Sequence, residues 1–254
     1  MTTTRLLTTD PYPSAFRRAT QPAFLCAAGQ GRVSTLTLSQ YLSQDRLYQY
    51  AYVRFVGQLL SKLRFETMTA TATVPLAQRI MDTLIDALIG IQKELRFFEA
   101  VATRYGFGLE VATTTVPGPT PITRAYADFF ASVSGPGASL LEGLVALWGT
   151  EKCYLEAWRY ARGFISPADG ASYERDADGG AIRKELLPNW TSEAFGKFVE
   201  GIGVLVDEVG AAERKRLGDE GEWGVMESSC DEVWKQILWL EERFWPDVEG
   251  EGTE

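Results

Sequence analysis

The sequence predicts an all-α protein on three observations. Apolar residues recur at three- and four-residue spacing over long stretches, strand-like alternation dies out within a few residues, and proline and glycine gather between the periodic stretches. The first long helix covers residues 35–63, "TLTLSQYLSQDRLYQYAYVRFVGQLLSKL", interrupted by no proline and only by Gly57, with Thr35 or Ser39 placed to cap it. A second runs from about Val74 to the stop signal at Gly106. "TTTVPGPTP" reads as a loop, "ITRAYADFFASV" as a third helix closed by "SGPG", and residues 144–163, "LVALWGTEKCYLEAWRYARG", as a fourth. A long polar connection follows, with room for one short helical turn and an insertion at 166–188. "WTSEAFGKFVEGIGVLVDEV" resumes the helical period behind Thr191 or Ser192 as a cap, and residues 228–245 form the last strong element. With no internal repeat and no domain linker, the 254 residues are expected to form a single helical bundle with flexible termini.

Composition narrows the function. The formal charge of -9 disfavours a nucleic-acid partner, because phosphate-backbone binding depends on Lys and Arg. No apolar run approaches the roughly 20 residues that span a bilayer, so no membrane helix is expected. The first residues lack the apolar core of a secretory signal. Arg5, Arg17 and Arg18 among several threonines leave a mitochondrial presequence open, and a cytoplasmic protein is the expectation. Cys26, Cys153 and Cys230 are widely spaced and odd in number, which suits free thiols. Histidine is absent, and that removes Ser-His-Asp and Cys-His catalysis, haem on a histidine ligand and His-containing zinc sites. No zinc-type cluster exists, and neither a metal nor a cofactor is expected.

Three carboxylates interrupt apolar stripes. Asp45 lies within Leu38, Leu42, Tyr48, Tyr52, Phe55 and Leu59; Glu151 falls among Leu144, Leu147, Leu155 and Trp158; and Glu241 shares a face with Trp234, Ile237, Leu238, Phe244 and Trp245. A buried carboxylate must be paired, protonated or turned toward a wet cavity. One such residue is explained by a misjudged helix boundary or a buried polar contact. Three on separate helices point to a shared polar pocket inside the bundle.

The motifs around these acids resemble the TenA family. Gln44, Asp45 and Tyr48 match its "Q-D-x-x-Y/F" motif, behind a glycine-containing turn. "LWGTEKCYLEAW" is similar to the helix of the subgroup lacking the active-site cysteine, through Leu147, Trp148, Glu151, Tyr154 and Glu156. "NWTSEAFGKFVEGI" resembles a further family segment, and Glu241, Phe244 and Trp245 match the C-terminal "E-x-x-F-W" motif. Four motifs in order span nearly the whole chain. Gln21, where the family commonly has histidine, and Leu155, one turn after the nucleophile position, depart from the pattern.

The resemblance implies a haem-oxygenase-like helical fold with a central pocket for a pyrimidine or similar ring. It also implies hydrolysis of the amine from an aminomethyl-aminopyrimidine in thiamin salvage, with Glu151 standing where other members have the nucleophilic cysteine. Cys153 is about 200° round the helix from Glu151, so a packed thiol is its expected role. On this reading Asp45 binds the amino group and ring nitrogen of the substrate, Glu151 and Glu241 divide base and acid work, and Tyr48 bonds or shuttles a proton. Trp190 and Phe195 become pocket walls only through the family match. Glu94 matches an acidic family position, though a solvated helix face explains it equally. The expected partner is an aminopyrimidine or related small amine, and assembly into a homo-oligomer is compatible with this. A formylamino compound is a second candidate substrate, and a non-catalytic small-molecule binder or helical interaction protein on the same fold is the rival.

Overall fold

A computed structural model describes residues 2–8, 12–65, 74–109, 118–166, 172–218 and 221–248. The regular elements among them are helical. Three short helices open the chain, α1 (Thr3–Thr8), α2 (Pro13–Thr20) and α3 (Ala23–Gly29), followed by the long α4 (Thr35–Lys62), α5 (Leu76–Tyr105), α6 (Pro121–Ser134) and α7 (Leu140–Arg162). A π-helical turn (Ala181–Leu186) runs into the short α8 (Leu187–Trp190), and α9 (Glu193–Leu217) and α10 (Glu222–Phe244) complete the fold. No helix among the described residues is long and apolar enough to cross a membrane.

The helix starts follow local chemistry closely. Ser34, one residue ahead of the expected cap, holds extended backbone and its hydroxyl accepts from the Thr37 amide to begin α4. Thr120 and Ser192 do the same for α6 and α9. The fourth predicted helix begins four residues early, because Ser139 and Glu142 form a reciprocal capping box there. Gly106 ends α5 in the left-handed conformation, where it carries no steric cost.

Sequence periodicity misses the three opening helices, which are too short to show a stripe. The expected flexible termini are also modified at this end. The backbone amide and hydroxyl of Thr4 donate to the Asp207 carboxylate at 2.8 and 2.9 Å, and Leu7 is buried, so α1 is pinned to α9. The C-terminal tail beyond residue 248 lies outside the described residues, as do 167–171 of the connection.

Helix α7 is central and touches α2, α3, α4, α6, α8, α9 and α10. Gly149 permits its close approach to α10, since a Cβ there would fall 2.5 Å from Ile237 Cδ1 and 3.1 Å from the Trp234 ring. Apolar packing forms two regions. One is built on α4, α5, α6, α7, α9 and α10, with Phe55 stacked on Phe130 and Trp148 on Trp234. The other gathers Phe24, Tyr41, Trp158, Trp190 and Trp245, with the Trp158 and Trp190 rings 4.2 Å apart.

The described part of the connection between α7 and α8 is held by polar contacts of its own. Asp176 and Arg183 form a buried two-point ion pair, Arg183 lies over the Tyr173 ring, and Asp178 accepts from the amides of Gly180 and Ile182. The Ala177 amide donates to the carbonyl of Gly31, which ties the segment to the end of α3. Glu185 receives Arg104 and the Tyr105 hydroxyl from the end of α5. The segment therefore clamps α3 to α5 and delivers Trp190 to the interior.

Candidate active site

Where the two apolar regions meet lies a cavity of about 580 Å³. Helical spacing aims the chemistry at it. From α4 come Asp45, Tyr48, Gln49 and Tyr52, at offsets of three, four and seven residues; from α7 come Thr150, Glu151 and Tyr154; from α10 come Glu241 and Phe244, followed by Trp245 just past its end. Helix α5 supplies Glu94 and α6 supplies Tyr126. Phe97, Phe195 and Phe198 add apolar wall. The cavity thus brings together Asp45, Tyr48, Glu94, Glu151, Trp190 and Glu241. For Glu94 the solvated-face alternative is overturned: it is half-buried, lines the cavity, and accepts from Trp190 Nε1 at 2.6 Å.

Each glutamate is held by an aromatic donor from another element. Tyr52 of α4 donates to Glu151 at 2.5 Å, Tyr126 of α6 donates to Glu241, and Trp190 of α8 donates to Glu94. Tyr48 is paired with Thr150 and stands edge-on to Tyr126, the ring centres 5.0 Å apart. The Thr150 hydroxyl donates back to the carbonyls of Ala146 and Leu147, so it has capacity to accept from Tyr48. These donors fix the carboxyl planes while leaving the second oxygen of each glutamate for other work.

Sequence reasoning did not single out Tyr52, Tyr126 or Gln49 for the site. Tyr52 sits one turn beyond Tyr48 and Gln49 one turn beyond Asp45, so helical spacing from the acidic motif was the available signal for both. Tyr126 stands among apolar neighbours in "AYADFF", where a phenol is indistinguishable from a core aromatic.

Burial dominates the electrostatics, because it disfavours the charged form of every acid here. Burial raises Glu151 to about 7, with the Tyr52 hydrogen bond opposing and Glu94 adding to the shift. Burial raises Glu241 to about 8, opposed by Tyr126 and reinforced by Glu151. Glu94 is likewise raised to about 7, against the stabilising bond from Trp190. Asp45 is pushed well above the ordinary carboxyl range by burial first, then by Glu94, Glu241 and Glu151. A pair of carboxyls with midpoints near neutrality can hold one ionised and one protonated member at the same pH, the requirement for base and acid in a single step.

Cys153 is fully buried in the packing of the larger apolar region and is absent from the cavity wall; burial first, then Glu241, pushes its thiol well above the usual range. A thiol so placed is a poor nucleophile. Glu156, which shares the motif of Glu151, instead pairs with Lys152 and Arg159 on the outer side of α7.

Comparison with known proteins agrees with this architecture. A TenA homologue from Pyrococcus furiosus superposes with a TM-score of 0.72 at 23% identity, over 96% of this chain and 98% of that one. A TenA family transcription regulator from Silicibacter gives 0.68 at 17% identity, over 96% and 97%. In sequence, a protein of Fusarium pseudograminearum named as a probable transcription factor is 30% identical over 266 residues, covering 95% of this chain and 51% of that protein. A probable bifunctional TENA-E protein of Glycine max is 22% identical over 189 residues, covering 74% of this chain and 71% of that one. The chain thus spans about half the length of its Fusarium relative. The family model for TENA/THI-4/PQQC matches residues 23–220. With helical fold, pocket and sequence model in agreement, the chain belongs to the TENA/THI-4/PQQC family.

Proposed function

We propose that the protein hydrolyses the amine from an aminomethyl-aminopyrimidine derived from thiamin breakdown, using carboxylates in place of a thiol. The observation that supports this most is the pairing of Glu151 and Glu241 across one cavity, each oriented by its own tyrosine. Glu151, with the lower midpoint, takes a proton from water, whose oxygen forms the new bond to the exocyclic methylene. The C–N bond breaks, and Glu241 holds the proton that the departing amine takes. The products are a hydroxymethylpyrimidine and ammonia. Asp45 orients the ring through its amino group, and Trp190 and Phe195 wall the ring plane.

The transcription-related names of the Fusarium and Silicibacter proteins favour a second reading, a small-molecule-binding protein that keeps the fold without the chemistry. Incubation of the purified chain with the aminopyrimidine, followed by assay of ammonia and the alcohol, separates the two. Stoichiometric release of both supports hydrolysis, whereas saturable binding without release supports the second reading.

A further inference from the structure

The cavity opens to solvent on one side. Among the described residues lining it, the exposed ones are Asp86, Ile89, Gly90, Lys93 and Asn189, all on α5 or α8, whereas the lining residues of α4, α6, α7, α9 and α10 are buried or half-buried. Polar ties frame this stretch at both ends. Arg79 of α5 makes a two-point ion pair with Glu208 of α9, and toward the other end of α5 Arg104 and the Tyr105 hydroxyl reach Glu185 in the π-helical turn. Residues 86–97 of α5 and 189–198 of α8 and α9 fall between the two ties, so they run antiparallel along the sides of a slot. Phe97, Phe195 and Phe198 stand half-buried on the cavity wall within these stretches and give the slot apolar sides.

Gly90 lies on this rim and near the midpoint of a 30-residue helix. Glycine in a helix interior is less favourable than alanine by about 1 kcal/mol, so a packing reason is expected. None is found among the described residues: a Cβ at Gly90 would meet nothing within 4 Å. Gly143 and Gly149 of α7 differ, because a Cβ at either would collide with Leu59 or Ile237. What glycine at position 90 keeps clear is the slot. We propose that ligands enter the cavity between α5 and the α8–α9 segment, and that Gly90 sets the size of the ligand that passes. The apolar sides suit a flat aromatic or heteroaromatic ring, and a side chain at position 90 excludes it by bulk. This is a specificity role for a residue outside the acid cluster. It concerns access alone, so it goes beyond the hydrolase reading and does not rest on it.

The test places a reporter thiol in the cavity and times its modification. In the full chain carrying Glu151→Cys, the rates of reaction with methyl and benzyl methanethiosulfonate are followed by mass spectrometry, which separates this site from Cys26, Cys153 and Cys230, and each is divided by its rate in the urea-unfolded chain. Both reagents should modify the reporter while position 90 is glycine. Adding Gly90→Leu should slow the benzyl reagent at least about tenfold and the methyl reagent by less than about threefold, and Gly90→Trp should slow both at least about tenfold. Gly57→Trp, at an exposed glycine of α4 that also has open space around it but lies off the cavity wall, should change neither. Both added side chains favour the helix over glycine, so the variants should fold. Rates that do not respond to the Gly90 series, equal slowing by Gly57→Trp, or no modification of the reporter with glycine at position 90 would each overturn the proposal. The labelling needs no turnover, so failure of the hydrolase reading would leave its result unchanged.

Discussion

At the scale of single residues, Glu151 and Cys153 make opposite predictions although only one residue separates them. Glu151→Gln keeps the volume and the partner for Tyr52 but removes the base, so turnover should fall by about 10²–10⁴-fold with ligand affinity largely kept. Cys153→Ala should leave both nearly unchanged; steady-state kinetics of the two variants decides the matter. The pH profile follows from the same groups. Activity needs Glu151 ionised and Glu241 protonated, so it should decline as pH falls below about 7 and again as pH rises above about 8. Glu241→Gln should flatten the alkaline limb. Burial raises Glu151 and the charge of Glu94 adds to the shift, so Glu94→Gln should move the acidic limb to lower pH. An unshifted acidic limb in that variant would break the link between the two. The acids themselves were legible in the sequence, since a carboxylate in an apolar stripe contradicts its surroundings. Their donors were not, because Tyr52 and Tyr126 look like any core aromatic until the partner helix is in place.

At the scale of elements, the long helices were legible because stripe and punctuation agree, as in α5 between Pro75 and Gly106. The connection after α7 was not. Its order comes from a few polar contacts, within the segment between Asp176 and Arg183 and beyond it between Ala177 and Gly31, and polar residues without a period carry no local sign of them. Arg183→Met should therefore destabilise the fold by about 3–5 kcal/mol, because it leaves Asp176 buried without its partner. Urea unfolding measures this. A change below about 1 kcal/mol would show that the clamp between α3 and α5 holds without the ion pair. Since the segment ends at Trp190, the same variant should also weaken ligand binding.

At the scale of the whole molecule, stability and function pull against each other around the cavity. Glu94, Glu151 and Glu241 have folded-state midpoints raised above those of ordinary carboxyls, so the folded state retains protons that the unfolded chain gives up. Their contribution is fully present below the ordinary carboxyl range and is lost progressively as pH rises from there through about 8. Melting temperature should then rise as pH is lowered from 8.5 to about 6, and a Glu151→Gln, Glu241→Gln double variant should show a smaller rise. A wild-type melting temperature that falls over this interval would mean that the acids are not buried as described. The central claim is hydrolysis by the paired glutamates, and the most direct measurement is the release of ammonia with the matching alcohol from an aminomethyl-aminopyrimidine, followed across pH in the wild type, Glu151→Gln and Cys153→Ala. Release by the wild type and Cys153→Ala with an optimum between about 7 and 8, and its loss in Glu151→Gln, is the predicted result; no release by the wild type, or release that survives Glu151→Gln and disappears in Cys153→Ala, would contradict it.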